Sequence, residues 1–218
     1  MSIIFVDQTC GLSESDAKKV GLELLRWNNE TEIENQFGDA FKEAMALDED
    51  IIYLHPARKL STQVAVAINF KRTQTVNYKN KFLLIDCGTI GMGYGLCAYM
   101  LGIQNKNYKS TSEQIEYLEH NKFAVLRYSS ATGALNSPIY KIFDGVEGKV
   151  GVASGINSAK NKIVELIRAQ GANIFDYYVF VCGENAQTVA DIAKKLNTDD
   201  RVITYVAVGH VLEVAFHV

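Results

Sequence analysis

The sequence predicts an α/β protein of two domains. The first is a parallel, doubly wound sheet with helices on both faces, and the second is an α/β domain with a mixed or antiparallel sheet. Three observations carry that reading. Apolar strands such as Ile51-Ile52-Tyr53-Leu54-His55 and Phe82-Leu83-Leu84-Ile85-Asp86 alternate with helical periodicity as far as about residue 120. Beyond about residue 121 the rhythm changes to strand pairs, with Ile139 to Phe143 and Lys149 to Ala153 forming a hairpin around Asp144-Gly145-Val146-Glu147-Gly148. The 218 residues are 48% hydrophobic and 22% charged, enough apolar side chain for a core in each half.

The elements follow in order. Ile3 to Val6 is a strand ending at Asp7-Gln8-Thr9-Cys10-Gly11, and Ser13 with Asp16 gives a capping-box start to a short helix. Gly21, after Lys18 and Lys19, stops that helix, and Leu22 to Trp27 reads as a second strand. Ile33, Phe37, Ala40, Phe41, Ala44 and Met45 recur with amphipathic spacing, so a helix leads into the Ile51 strand. Val64, Ala67 and Ile68 continue a helix after Ser61, and the polar Arg72 to Lys81 stretch reads as a link to the Phe82 strand. Met92 to Ile103 is an apolar helix, and Ser110 with Glu113 caps another. In the second half Phe123 to Tyr128 is a strand and Ser129 to Pro138 is loop-like. A helix from about Asn157 to Ala169, a strand Tyr177 to Cys182, a helix Ala186 to Leu196 and two closing strands complete the chain. The boundary is expected near residues 119 to 122, giving domains 1–120 and 121–218.

Composition removes several function classes. Lys and Arg total 22 against 25 Asp and Glu, with no long basic run, so no nucleic-acid footprint is present. No apolar stretch reaches the length of a membrane span, and Met1-Ser2-Ile3-Ile4-Phe5-Val6 lacks the pattern of a signal peptide. A cytoplasmic protein is expected. Cys10, Cys87, Cys97 and Cys182 form neither a C-x-x-C pair nor a zinc spacing with histidine, so they read as reduced, mostly buried thiols, and no metal or cofactor is expected.

Candidate chemistry gathers at the strand-to-helix tips, where an open α/β sheet forms its ligand crevice. Ser61 and Thr62 either cap the following helix or hold a ligand carboxylate or phosphate through hydroxyls and free amides. Cys87-Gly88-Thr89-Ile90-Gly91-Met92-Gly93-Tyr94-Gly95 is glycine-rich but matches no phosphate-loop spacing and lacks its lysine, so close helix packing explains the glycines better. Cys10 and Cys87 are nucleophile candidates only if a base such as His55 activates them. Asp7 and Asp86 end neighbouring strands, either as an acid/base pair or bonding local amides.

Taken together, these segments resemble the DegV family of bacterial fatty-acid-binding proteins. Val6-Asp7-Gln8-Thr9-Cys10-Gly11-Leu12 is similar to that family's D-S-T-C-D-L opening, His55 through Lys59-Leu60-Ser61 to its I-H-x-S-x-K-L-S-G-T loop, and Ile85-Asp86 through Met92-Gly93-Tyr94-Gly95 to its I-D-S-x-x-x-S-M-G-x-G. The Glu147-Gly148-Lys149 hairpin and the closing Val202 to Phe216 keep family order. The resemblance implies a non-enzymatic binder holding one long-chain fatty acid in a tunnel between two domains, some members presenting it to a fatty acid kinase. Ser61 matches the family's loop serine, with Thr62, Thr9, Cys87, Gly88, Thr89 and Met92 as further ligand-binding candidates and Ile90 and Leu96 as tunnel lining. Departures mark a shortened, divergent member. Thr62 and Gln63 replace the family's Gly-Thr, and Asn28 to Thr31 replaces its T-S-Q-P loop. Ser129 to Pro138 replaces a basic glycine-rich segment, Ser154 to Asn157 lacks the usual arginine, and Val206 stands in place of a histidine. Two other readings stay open: a degenerate scaffold acting through protein contacts, and a thiol enzyme using Cys10 or Cys87.

Overall fold

The computed structural model describes residues 2–107, 110–132, 138–144, 148–171, 178–183, 185–196, 201–206 and 212–218. The chain divides into two compact units, residues 1–90 with 97–120 and residues 91–96 with 121–218.

The first unit is built on a four-stranded sheet of order β2-β1-β3-β4, from β1 (Ile3–Asp7), β2 (Leu22–Leu25), β3 (Ile51–His55) and β4 (Phe82–Asp86), with every pairing parallel. Its connections are helical: α1 (Glu14–Lys19), α2 (Ile33–Met45), α3 (Gln63–Thr73) and α4 (Val76–Lys81), with α5 (Gly91–Lys106) and α6 (Thr111–His120) following the last strand. Ile33, Phe37, Phe41 and Ala44 line one face of α2 and are buried against Phe5, Tyr53 and Phe82. Phe41 sits at the centre of that cluster, 4.8 Å from Phe82 and 5.2 Å from Phe5 by ring centroids. Ile4, Val6, Ile52 and Leu54, pointing the other way by strand alternation, are fully buried too, so both sheet faces are covered as a parallel sheet requires.

The expected helix starts are present. Ser13 Oγ accepts from the Asp16 amide at 3.1 Å, and Ser110 and Glu113 exchange reciprocal bonds of 3.3 and 2.7 Å ahead of α6. Two boundaries differ from the sequence reading. The second strand stops at Leu25 rather than Trp27, because the Gln8 side chain takes the place of a strand partner, accepting from Trp27 N at 3.2 Å and donating to its carbonyl at 3.3 Å. The stretch expected to be a link up to Lys81 contains the end of α3 and all of α4. The helix α4 exposes both Val76 and Tyr78, so no apolar stripe announces it, and the Lys81 ammonium anchors its end to Asp48 at 2.6 Å.

The second unit carries a mixed six-stranded sheet of order β7-β6-β5-β10-β8-β9. Its strands are β5 (Phe123–Thr132), β6 (Pro138–Asp144), β7 (Gly148–Ser154), β8 (Val179–Gly183), β9 (Val202–Val206) and β10 (Glu213–His217). Only the β8–β9 pairing is parallel among the described ladders. The helices α7 (Ile156–Ala169) and α8 (Ala186–Leu196) bury Ile163, Val164, Ile167, Val189, Ile192 and Leu196 against Leu126, Val181, Val214 and Phe216.

The expected hairpin is β6–β7; its turn residues 145–147, including Glu147, lie outside the described residues, as does Tyr177 ahead of β8. Ser129 to Thr132, expected as loop, instead extend β5. Ser129 pairs with Lys141 and Thr132 with Pro138, so ladder bonds to a neighbouring strand outweigh the weak local strand preference of serine. The remainder of that expected loop, residues 133–137, is outside the described residues.

Candidate site at the carboxyl edge of the first sheet

The turns after β1, β3 and β4 of the first unit are fixed by side chains of their own strand ends. Asp7 closes the first: its Oδ1 accepts from the Thr9 amide at 2.9 Å and from the Thr9 hydroxyl, while its Oδ2 accepts from Tyr53 OH at 2.7 Å. The turns after β3 and β4 are tied to one another. Cys87 N donates to the His55 carbonyl at 3.0 Å and Ala57 N to the Thr89 carbonyl at 2.8 Å. Asp86 spans both, its Oδ2 accepting from Arg58 N at 3.1 Å and its Oδ1 from Gly88 N at 2.8 Å. His55, buried at the end of β3, donates from Nδ1 to the Pro56 carbonyl at 2.8 Å. Both aspartates therefore bond local amides, the second of the two readings their positions allowed.

The candidate residues fall as follows. Ser61 is half-buried and its hydroxyl donates to Gln63 Oε1 at 2.8 Å. Thr62 is exposed at the start of α3 and makes no side-chain capping bond, so neither hydroxyl caps that helix, the first of the two roles their positions allowed. Thr9 and Gly88 are exposed, and the half-buried Cys87 thiol donates to the Thr89 carbonyl at 3.3 Å. Thr89 is 2% exposed, and its hydroxyl has no hydrogen-bond partner. A buried hydroxyl left in that state costs on the order of 1 to 3 kcal/mol, which marks Thr89 as a place where a polar group is missing. The bonds above bring Cys87, Gly88 and Thr89 together with Ala57 and Arg58.

Met92, by contrast, belongs to the second unit, as does the first turn of α5. There the helix start is already occupied: Met92 N donates to Glu213 Oε2 at 3.2 Å. Gly91 has φ +53° and a β-carbon on it would stand 2.8 Å from that oxygen, so another residue there would be strained and would push the carboxylate aside. Glu213 lies 121 residues from Met92, so no local pattern points to it.

Three thiols, Cys10, Cys87 and Cys182, are shifted away from the thiolate. Burial pushes Cys10 up to about 12, with the Asp7 charge adding to it. Burial and the neighbouring Cys97 thiol push Cys87 well above its ordinary value, and Cys182 is raised to about 11 by burial and Glu213. An activated cysteine needs the opposite shift. Among the described residues no cluster of His, Cys, Asp and Glu could hold a metal ion, and no helix is long and apolar enough to cross a membrane.

Comparison with known proteins separates sequence from fold. No protein-family profile and no curated protein matches the chain. Solved structures do. A DegV lipid-binding protein of Thermotoga maritima superposes with a TM-score of 0.78 at 14% identity, over 100% of this chain and 98% of its own. A stearic acid-binding protein of Eubacterium ventriosum gives 0.78 at 13% identity, over 99% and 98%. DegV of Bacillus subtilis, a fatty acid binding protein, gives 0.71 at 12%, also over 99% and 98%. From end to end, the chain has the fold of the DegV proteins.

Proposed function

We propose that the chain is a non-enzymatic, cytoplasmic binder of one long-chain fatty acid or a closely similar apolar ligand, with its domains at 1–120 and 121–218. The observation that carries this reading is the buried Thr89 hydroxyl without a partner, set in the loop tied to the β3 and β4 tips. The full-length likeness to proteins described as binding lipid, stearic acid and fatty acid supports it. In this reading Thr89 bonds the ligand head, and Thr9, Ser61, Thr62, Cys87 and Gly88 shape the surrounding edge.

The energetics place affinity in the tail. Each buried methylene contributes about 0.8 kcal/mol, so a tail of about fifteen carbons supplies on the order of 10 kcal/mol before association costs. One head-group bond adds about 1 to 3 kcal/mol. Binding therefore tolerates a sparse head site. Presentation of the ligand to a fatty acid kinase, the finer part of this reading, depends on head placement and tolerates it less.

Titration of delipidated protein with hexadecanoic acid tests the proposal. Saturable one-to-one uptake is expected. No uptake of hexadecanoic acid or of its neutral analogues would overturn it and leave the degenerate scaffold acting through protein contacts.

A further inference from the structure

We infer that Cys87 and Cys97 are a dithiol that closes to a reversible disulfide, with small-molecule disulfides such as oxidised glutathione as the oxidant class. Both residues belong to the first unit, Cys87 in the turn after β4 and Cys97 on α5, ten residues further on. Their thiols are in hydrogen-bond contact. They differ in access: Cys87 is half-buried, whereas Cys97 is 1% exposed. One thiol is therefore placed to meet a small oxidant, and the other to complete the bond from inside, where no oxidant has to reach. The Cys87 thiol also donates to the Thr89 carbonyl at 3.3 Å, so closure takes a donor away from the turn that forms part of the candidate edge.

The step conserves atoms and electrons. Cys87 gives up its proton and its thiolate attacks one sulfur of the small disulfide; that S–S bond breaks, and the leaving thiolate takes up a proton. Cys97 then loses its proton, attacks the Cys87 sulfur of the mixed disulfide and expels the second small thiolate, which is protonated in turn. The two protein thiols are oxidised to one disulfide, and the small disulfide is reduced to two thiols. Burial and the Cys97 thiol hold Cys87 protonated, so the exchange is slow near neutral pH and quickens as pH rises. It is stoichiometric exchange, not catalysis. The closed loop contains Gly88, Thr89 and the first turn of α5.

Incubation of the reduced, full-length protein with excess oxidised glutathione tests this. Remaining thiols are then alkylated in denaturant, and the tryptic peptide 82–106, which contains both cysteines, is identified by mass spectrometry. The expected peptide is lighter than the dithiol form by two hydrogens, carries no alkyl group at Cys87 or Cys97, and reverts with dithiothreitol. Cys10 and Cys182, both buried, should remain alkylatable. The rate of closure should rise on the order of tenfold between about pH 7 and 8. Cys97→Ala should trap Cys87 as a stable mixed disulfide, heavier by one glutathionyl group, and Cys87→Ala should leave Cys97 unmodified. If either variant fails to fold, the other variant and the wild-type peptide carry the test. Wild-type protein that stays a dithiol, that keeps a glutathionyl group on Cys87 with Cys97 still alkylatable, or that pairs either residue with Cys10 or Cys182 would overturn the inference.

Discussion

Replacing Thr89 by valine should stabilise the empty protein and weaken its ligand binding, two effects of opposite sign from one atom. Valine keeps the branched shape and replaces the hydroxyl, which is buried without a partner, by a methyl. The backbone bonds of residue 89, from Ala57 N and the Cys87 thiol to its carbonyl, do not involve the side chain. Removing an orphaned hydroxyl recovers about 1 to 3 kcal/mol, and for a chain of this length each kcal/mol moves Tm by roughly 2 to 4 °C. Delipidated Thr89→Val should therefore melt roughly 2 to 12 °C higher than the wild type. The same change removes the head contact, so affinity for a sixteen-carbon ligand should fall by roughly five- to a hundredfold. Thr89→Ser, which keeps the hydroxyl and loses a methyl, should lose about 1 kcal/mol of stability while holding most of the affinity. Differential scanning calorimetry on delipidated protein and equilibrium dialysis read the two quantities. A lower Tm for Thr89→Val would mean that the hydroxyl is satisfied inside the protein, and the argument for a missing polar group would collapse.

Three further outcomes follow from particular contacts. A β-carbon on Gly102 would stand 2.7 Å from the Val20 carbonyl oxygen, so Gly102→Ala should lose about 1 to 2 kcal/mol in urea unfolding despite alanine's helix preference of about 1 kcal/mol. Lys160 on α7 is buried and donates to Asp191 on α8 at 2.7 Å; Asp191→Ala should lower Tm by stranding the ammonium, whereas Lys160→Met, which removes the buried charge, should be close to neutral. Burial lowers the pKa of His217, so the unfolded chain takes up its proton first. The associated stability is complete above about pH 6.5 and is lost as pH falls through the lower folded value, a slope that His217→Gln should flatten in urea midpoints measured across that range.

Side chains that act within one element were legible in the sequence. The spacing of Ile33, Phe37, Phe41 and Ala44 declares α2 because every one of them faces the same core. Ser13 with Asp16 and Ser110 with Glu113 declare their helix starts because capping is a three-residue affair. The order of such segments was enough to indicate a DegV-like fold. Less legible were features created by a distant partner. Ser129 to Thr132 become strand only because β6 lies alongside them, and α4 has no buried stripe to show. At the candidate site, Thr9, Ser61, Thr62, Cys87, Gly88 and Thr89 were visible as polar tips. The state of each was not, because it depends on which carboxylate or carbonyl reaches it. Asp86 bonds amides on two different turns, and Glu213 comes from the far end of the chain.

The central claim is that this chain carries a long-chain acyl ligand. Native mass spectrometry of the freshly purified protein, with organic extraction and identification of any small molecule released, tests it most directly. The account predicts one bound mass per chain matching a long-chain fatty acid or its uncharged analogue, absent after delipidation and restored by adding the compound back. Protein that is ligand-free when purified and takes up neither hexadecanoic acid nor hexadecanamide would contradict it.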